Sequence, residues 1–129
     1  MNARLLQIAT VLFCAAIAPA ARAAEDSGTE SQSPIRATWY GGKYHGKTTA
    51  NGEKFNVKEF TAAHPTLPFD SVVEVKQVKG KRKVLVRITD RCGGCEIDLS
   101  PAAARRLGIL WRGHAPVKLD VLAQLVRFE

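Results

Sequence analysis

The sequence predicts a mainly β fold, a small closed barrel of about six strands with one short helix. Apolar and polar residues alternate over several short stretches, which is the period-two pattern of strands with one buried face. Signals for both ends of a helix occur together at one segment. The chain has 129 residues, enough for one small domain. A barrel suits so few strands because closure removes exposed sheet edges.

The clearest strand occupies residues 83–89, where Val84, Val86 and Ile88 alternate with more polar neighbours. A basic turn separates it from the apolar alternation of residues 71–78, which predicts a β-hairpin. A glycine-rich polar loop is expected at residues 41–56. Further strands are predicted at residues 35–40, 61–64, 97–99 and 117–122.

The single helix is predicted over residues 101–107. Ser100 is a favoured N-cap residue, and Pro101 fits the first helical position, where its missing N–H costs nothing. Gly108 follows as a helix terminator.

Two acids, Asp90 and Asp98, bracket the bend between the strand of residues 83–89 and this helix. Ile97 and Leu99 flank Asp98, so its side chain is expected on the opposite side of a short extended segment. Both acids have a structural alternative, because aspartates at strand ends often accept backbone hydrogen bonds. A catalytic pair is the other interpretation.

Cys92 and Cys95 lie inside that bend, and a disulfide between them is the favoured interpretation. A redox-active pair is the weaker alternative, since this CxxC does not begin a helix that would lower a thiol pKa. A zinc site would need two more ligands, and the histidines are not in ligand spacing. We therefore expect neither a metal nor a cofactor.

Residues 1–23 have the features of a signal peptide: a positive start with Arg4, an apolar run, and small residues before the expected cleavage. Cys14 falls inside that run. Residues 24–34 are polar and apolar-poor, as in a disordered linker. The folded domain is predicted over residues 35–129, exported to the periplasm or secreted, with no integral membrane segment.

The formal net charge is +7 at pH 7. A basic exported domain is attracted to anionic polymers of the cell wall, and salt weakens this attraction. Nucleic acid would respond to the same charge, but export argues against it.

Aromatic and acid–base candidates accompany the long loop. Trp39, Tyr40 and Tyr44 could stack on sugar rings, although packing at the barrel end is an equal alternative. Glu53 and His64 could exchange protons in a cleft, as glycosidic bond cleavage requires. A lone histidine is more often structural.

Five motifs in order make the sequence similar to the rare lipoprotein A (RlpA) family of double-psi β-barrel proteins. They are Ala37-Thr-Trp-Tyr-Gly41, Thr49-Ala-Asn-Gly-Glu53, Thr61-Ala-Ala-His64 with Thr66-Leu-Pro68, Val86-Arg-Ile-Thr-Asp-Arg91 and Ile97-Asp-Leu-Ser-Pro-Ala-Ala-Ala104. The resemblance implies a six-stranded double-psi β-barrel with one or two short helices. It also implies an endolytic lytic transglycosylase that leaves 1,6-anhydro-MurNAc ends on peptidoglycan.

The resemblance implies that Glu53, His64 and Asp90 serve activity, and that Asp98 matches a groove aspartate of related barrels. Asp90 or Asp98 is expected to be the general acid and then base. We expect a monomer whose substrate is the peptidoglycan glycan strand. The residues expected to bind this strand are Trp39, Tyr40, Tyr44, Asn51, Asn56 and Arg91.

Two departures from the family favour an alternative. Asn56 stands where an aspartate is common, and Asp90-Arg-Cys-Gly-Gly-Cys95 resembles the cysteine-containing loop of expansins. The alternative function is a non-catalytic, expansin-like module that binds or loosens wall polysaccharide. A more distant third is a secreted protein that binds or inhibits another protein.

Overall fold

The structure, a computed structural model, describes residues 33–124. The predicted signal peptide, nearly all of the predicted linker and the last five residues lie outside this range. Within the range, no helix is long and apolar enough to cross a membrane.

Six strands form a closed barrel, as predicted, in the order β1-β5-β2-β4-β3-β6. Residues 33–124 also contain a 3-10 turn, Gly42–Tyr44, and one α-helix. The strands are β1 (Ile35–Trp39), β2 (Thr61–Ala63), β3 (Val72–Gln77), β4 (Lys83–Asp90), β5 (Ile97–Leu99) and β6 (His114–Ala123).

Two strand pairs are parallel, β1 with β5 and β2 with β4, and the other pairs are antiparallel. The parallel pairs join strands far apart in the chain. The predicted hairpin is β3 with β4, in register with Val75 opposite Val84. This closed arrangement with one helix is that of the expected double-psi β-barrel.

The barrel interior is filled by the alternating residues that the sequence pattern selected. Val84, Val86 and Ile88 of β4 are buried and meet Val73 and Val75 of β3. The small domain thus buries one continuous apolar core, which drives its folding. After Ile88 the pairing of β4 with β2 shifts register, and the half-buried Asp90 becomes the partner of Ala63.

The helix α1 (Pro101–Leu107) has the predicted bounds. The Ser100 hydroxyl accepts a hydrogen bond from Ala103 N at 3.2 Å, which caps the first turn. Gly108 adopts a left-handed conformation at φ 83°, and its N–H donates to the carbonyls of Ala104 and Arg105.

The last strand begins earlier than predicted, at His114 instead of residue 117. Pro116 lies inside it, opposite Arg36 of β1, and its carbonyl accepts from Val78 N at 3.1 Å. A proline is tolerated here because the carbonyl still bonds, although the ring removes a donor. The longer β6 reaches both β1 and β3 and closes the barrel.

Candidate active site

Asp90 and Asp98 lie on either side of one alanine. Strand β2 runs between β4 and β5, and its Ala63 is the register partner of Asp90 on one side and of Asp98 on the other. Neighbouring strands are about 4.8 Å apart, which separates the two aspartate Cα atoms by about 10 Å. The structure therefore brings the two predicted acids together.

Both carboxylates line a cleft of about 210 Å³ at this end of the barrel. The loop before β2 forms one wall, and the bend after β4 forms the other. The cleft is lined by Tyr40, Tyr44, Lys47, Thr48, Thr49, Phe55, Ala63, Asp90, Arg91, Cys92 and Asp98.

Asp98 is half-buried, and its Oδ1 accepts a hydrogen bond from Thr38 Oγ1 at 2.9 Å. Burial raises the pKa of the Asp98 carboxyl above its usual value, and the nearby charge of Asp90 raises it further. The Thr38 hydrogen bond opposes this shift. Asp98 thus retains a proton to higher pH than an exposed aspartate, as a general acid requires.

Asp90 is held by backbone donors. Its Oδ1 accepts from Ala50 N and from Arg91 N, each at 2.9 Å. Asn51 N donates to the Thr89 carbonyl at 3.1 Å, so the loop of residues 49–53 is fastened to the end of β4. The orientation of Asp90 consequently depends on the position of that loop.

The two predicted substrate-binding asparagines stabilise their own loops. Asn51 Oδ1 accepts from Thr49 Oγ1 at 2.6 Å and from Glu53 N at 3.0 Å. Asn56 Oδ1 accepts from Lys58 N at 2.9 Å, an Asx-turn contact. Neither residue lines the cleft.

Glu53 lies outside the cleft, in a bidentate ion pair. Its Oε1 and Oε2 each accept from the Arg87 guanidinium at 2.8 Å, and Arg87 also contacts Asp70 at 2.9 Å. The hydrogen bond and charge of Arg87 lower the pKa of the Glu53 carboxyl. A carboxylate held in this way is a poor proton donor, and its contact instead fixes the end of the loop of residues 49–53.

His64 folds the turn after β2. Its Nδ1 accepts from Thr66 N at 3.1 Å and from Leu67 N at 3.0 Å. Burial, and then the charge of Arg91, lower the pKa of the imidazole. Because Nδ1 accepts twice, the neutral ring carries its proton on Nε2, so His64 is suited to donating a hydrogen bond rather than to acting as a base.

Two of the three predicted aromatics face the cleft. Tyr40 stacks on Phe55 with ring centroids 4.6 Å apart, and Tyr44 meets Tyr40 edge-on at 5.8 Å. Tyr44 is exposed, and the Lys43 and Lys47 ammonium groups lie 5.1 and 5.5 Å from its ring centroid. Trp39, in contrast, packs against the barrel core.

The Tyr40 hydroxyl is buried and makes no hydrogen bond of normal geometry with the described residues, although the Thr61 hydroxyl is near. Burial first, then the charges of Asp90 and Asp98, raise the pKa of this phenol. The group therefore stays neutral beside the two carboxylates.

The bend after β4 has the expected disulfide, Cys92 to Cys95, with Cα atoms 5.8 Å apart. Arg91 packs over the Phe69 ring at 4.0 Å and donates to the His64 carbonyl at 3.2 Å. Arg91 thus joins the turn after β2 to the wall of the cleft. Among residues 33–124, no three His, Cys, Asp or Glu side chains cluster as metal ligands would.

Sequence reasoning missed Thr38, Ala63, Lys47 and Phe55 as parts of the site. Thr38 could have been found, because alternation in β1 directs it away from the buried Ala37. Ala63 could not, because its role follows from pairing with two strands that are distant in the chain.

These observations define the protein as a double-psi β-barrel domain with a two-carboxylate cleft at one end. A family model described as Lytic transglycolase matches residues 32–119. The chain belongs to this family. One curated relative, from Neisseria meningitidis serogroup A, is named endolytic peptidoglycan transglycosylase RlpA and is 46% identical over 87 residues. The match covers 65% of this chain, which spans only 36% of the relative's length.

Solved structures with the same barrel carry different names. An apo expansin from Clavibacter michiganensis is 26% identical with a TM-score of 0.57, covering 74% of this chain and 52% of the expansin chain. A Streptomyces papain inhibitor is 25% identical with a TM-score of 0.55, covering 67% and 89% of the two chains. The barrel is therefore common to proteins with different names, and the cleft residues must decide the function.

Proposed function

We propose that the protein is an endolytic peptidoglycan lytic transglycosylase, which cleaves the bond between MurNAc and GlcNAc and leaves a 1,6-anhydro-MurNAc end. The observation that carries the proposal is the pair Asp90 and Asp98 facing one cleft, with the pKa of Asp98 raised. Names of family relatives support the substrate.

Asp98 is the general acid in this mechanism. Its proton passes to the glycosidic oxygen as the bond to the anomeric carbon breaks, and GlcNAc leaves with a hydroxyl. The resulting carboxylate then takes the proton from the muramyl 6-hydroxyl as that oxygen bonds to the anomeric carbon. Asp98 ends protonated as it began, and no water is consumed.

Asp90 lies across the cleft from Asp98 and stabilises the positive charge that develops at the anomeric carbon. The two backbone N–H groups on its Oδ1 hold the carboxylate in place before the substrate binds. A fixed charge needs no reorganisation during the reaction, which makes it more effective.

The other predicted residues bind the substrate or position the groups that do. Tyr44 and Tyr40 offer ring faces and edges to sugar rings, and Arg91 lines the same wall. Glu53 acts as a positioning residue, because its ion pair with Arg87 fixes the loop that donates to Asp90. His64 fixes the turn that Arg91 contacts.

The test is mass spectrometry of the soluble products formed from intact and peptide-stripped peptidoglycan. The chain beginning at Ala24 is compared with Asp90→Asn and Asp98→Asn, and Asp120→Asn, at an exposed position of β6, is the matched control. We expect anhydro-ended fragments from the parent and the control only. Hydrated reducing ends would instead indicate hydrolysis and would exclude the transglycosylase mechanism.

A second candidate is the expansin-like module that binds wall polysaccharide without cleaving it. The exposed ring of Tyr44, beside two lysines at the cleft mouth, favours binding of a glycan in either case. Sedimentation with peptidoglycan without any released fragment would support this candidate over the enzyme.

We also propose that the protein acts as an exported monomer, on the cell wall rather than on nucleic acid. The sequence of residues 1–23 and the family membership support export. N-terminal sequencing of the protein from the periplasm or medium, expected to begin at Ala24, and its mass in solution test these points.

A further inference from the structure

The barrel end opposite the cleft has a strongly basic surface that the proposed function does not use. It is a shallow depression of about 760 Å³ formed by the β3–β4 turn, the end of α1 and the turn that follows α1. We call it the basic surface. Its cations are Lys79, Lys81, Arg82, Arg105 and Arg112.

A single indole ring projects from this surface. Trp111 is 97% exposed, on a turn in which Arg112 N and Gly113 N both donate to the Ile109 carbonyl at 3.0 Å. The Ile109 side chain is fully buried beneath the turn. An anchored turn thus holds the Trp111 ring in solvent, although burial of an indole ring against the core would stabilise the fold.

The cations of the basic surface have no acidic partners in the described part of the chain. The salt bridges between described residues involve Lys83 and Arg87 instead, and no acid lines the depression. The Arg82 side chain lies across Gly108, whose Cβ, if present, would be 2.9 Å from Arg82 Cδ. Glycine therefore lets this guanidinium lie at the carbonyl end of α1, where a cation is favoured.

We propose that the basic surface docks the protein on an anionic phospholipid bilayer, with Trp111 in the interfacial layer and the cations on lipid phosphates. Indole rings prefer the membrane–water interface, and lysines and arginines near an anionic leaflet each strengthen attachment. Clustering on one face lets all five cations meet the same plane of charge.

A glycan fits the basic surface less well than a bilayer. Sugar hydroxyls need acceptors as well as donors, and the lining has no carboxylate and one amide side chain, Gln77. Trp111 projects alone and offers no second ring to sandwich a sugar.

Docking at this end sets the direction of the cleft. Strand β4 begins with Lys83 beside the basic surface and ends with Asp90 in the cleft. Its eight residues span about 23 Å at the usual strand rise. The docked barrel therefore presents its two carboxylates away from the bilayer.

The test is vesicle binding by the chain that begins at Ala24, which contains every strand of the closed barrel and lacks the apolar residues 1–23. Vesicles of phosphatidylcholine alone are compared with vesicles that contain phosphatidylglycerol. We expect cosedimentation and a blue shift of Trp111 fluorescence with the anionic vesicles only, weakened as salt rises. Trp39 packs against the core, so its emission stays constant.

Two pairs of lysine substitutions distinguish an effect of the basic surface from an effect of net charge alone. Lys79→Gln with Lys81→Gln should weaken binding by roughly tenfold or more, and Trp111→Ala by on the order of tenfold. Lys54→Gln with Lys58→Gln removes the same charge from exposed positions elsewhere and should change binding little.

Equal losses in both lysine pairs, or equal binding to both vesicle types, would overturn the proposal. Binding to an anionic polysaccharide without binding to vesicles would also overturn it, in favour of a polymer as the occupant. The vesicle assay contains no peptidoglycan, so its outcome is independent of the proposed cleavage.

Discussion

Asp90 and Asp98 are separated by one strand, and the residue of that strand between them is an alanine. Ala63 pairs with both aspartates and is buried, so no large side chain stands between the two carboxyl groups. The small alanine side chain leaves the space above β2 open to the cleft. The environments of the two aspartates differ, because Asp98 is partly desolvated and Asp90 is held by backbone donors.

Replacing Asp98 with asparagine should remove the general acid and leave the fold intact. The asparagine oxygen can still accept from Thr38, so we expect a native circular dichroism spectrum. General acid catalysis contributes roughly 10²- to 10⁴-fold, and the release of anhydro ends should fall by that amount. If Asp98→Asn released anhydro ends as fast as the control Asp120→Asn, Asp98 would be excluded as the general acid.

The same substitution should increase stability at neutral pH. Burial raises the pKa of Asp98 in the folded state above its value in the unfolded chain. In the pH window between these two pKa values, the folded protein binds more protons than the unfolded chain. The free energy of unfolding therefore falls as pH rises through the window. The melting temperature of Asp98→Asn minus that of the parent should therefore be larger at pH 7 than at pH 3. A gain independent of pH would contradict this linkage.

Local sequence pattern predicted the elements but not the distant pairings. Alternation identified β3 and β4, and Ser100 with Gly108 gave both ends of α1, because these signals are local. The contact of Thr38 with Asp98 joins residues 60 positions apart, which no local pattern encodes.

The contacts of Glu53 and His64 also depend on the tertiary fold. The sequence predicted that Glu53 and His64 serve activity, but it could not indicate which donor each side chain would bind. Arg87 faces away from the core of β4 and binds the Glu53 carboxylate, while two backbone N–H groups bind the His64 ring. A charged side chain in a loop has many such partners within reach, and the tertiary fold selects one.

Substitution of Glu53 should separate positioning from proton transfer. Glu53→Ala frees the loop that holds Asp90 and should lower kcat with little change in KM, whereas Glu53→Gln still accepts from Arg87 and should retain more activity. The pair is exposed, so the loss of stability should stay below about 1 kcal/mol. If Glu53→Gln is as inactive as Asp98→Asn, Glu53 exchanges a proton.

The ion pair of Glu53 also predicts a dependence of stability on pH. Arg87 lowers the folded-state pKa of Glu53, so the contribution of the pair is present at neutral pH. It is lost as pH falls through that lowered pKa. The melting difference between the parent and Glu53→Gln should therefore shrink in acid, and a constant difference would contradict the assignment.

His64 should make the protein less stable in mild acid. Burial and the charge of Arg91 lower its pKa from the ordinary value of 6.5, so the unfolded chain binds more protons there and stability is lost as pH falls below that value. His64→Asn offers an oxygen to the same N–H groups without titrating, and its melting curve should lack this loss. His114→Asn, at the exposed first residue of β6, is the control and should retain this loss.

The Cys92–Cys95 disulfide should matter more for cleavage than for stability. Closing a loop of four residues is worth about 2 kcal/mol in the chain-entropy model, less than the bridges of long loops. The bend that it closes, however, joins Asp90 to Asp98, and Cys92 itself lines the cleft. The melting temperature of the double variant Cys92→Ser, Cys95→Ser should be lower than that of the parent by no more than about 16 °C. The variant should therefore still fold at 25 °C. At that temperature its kcat should fall at least tenfold, because the carboxylates lose their fixed spacing. An unchanged kcat would show that strand pairing to Ala63 alone holds the two acids.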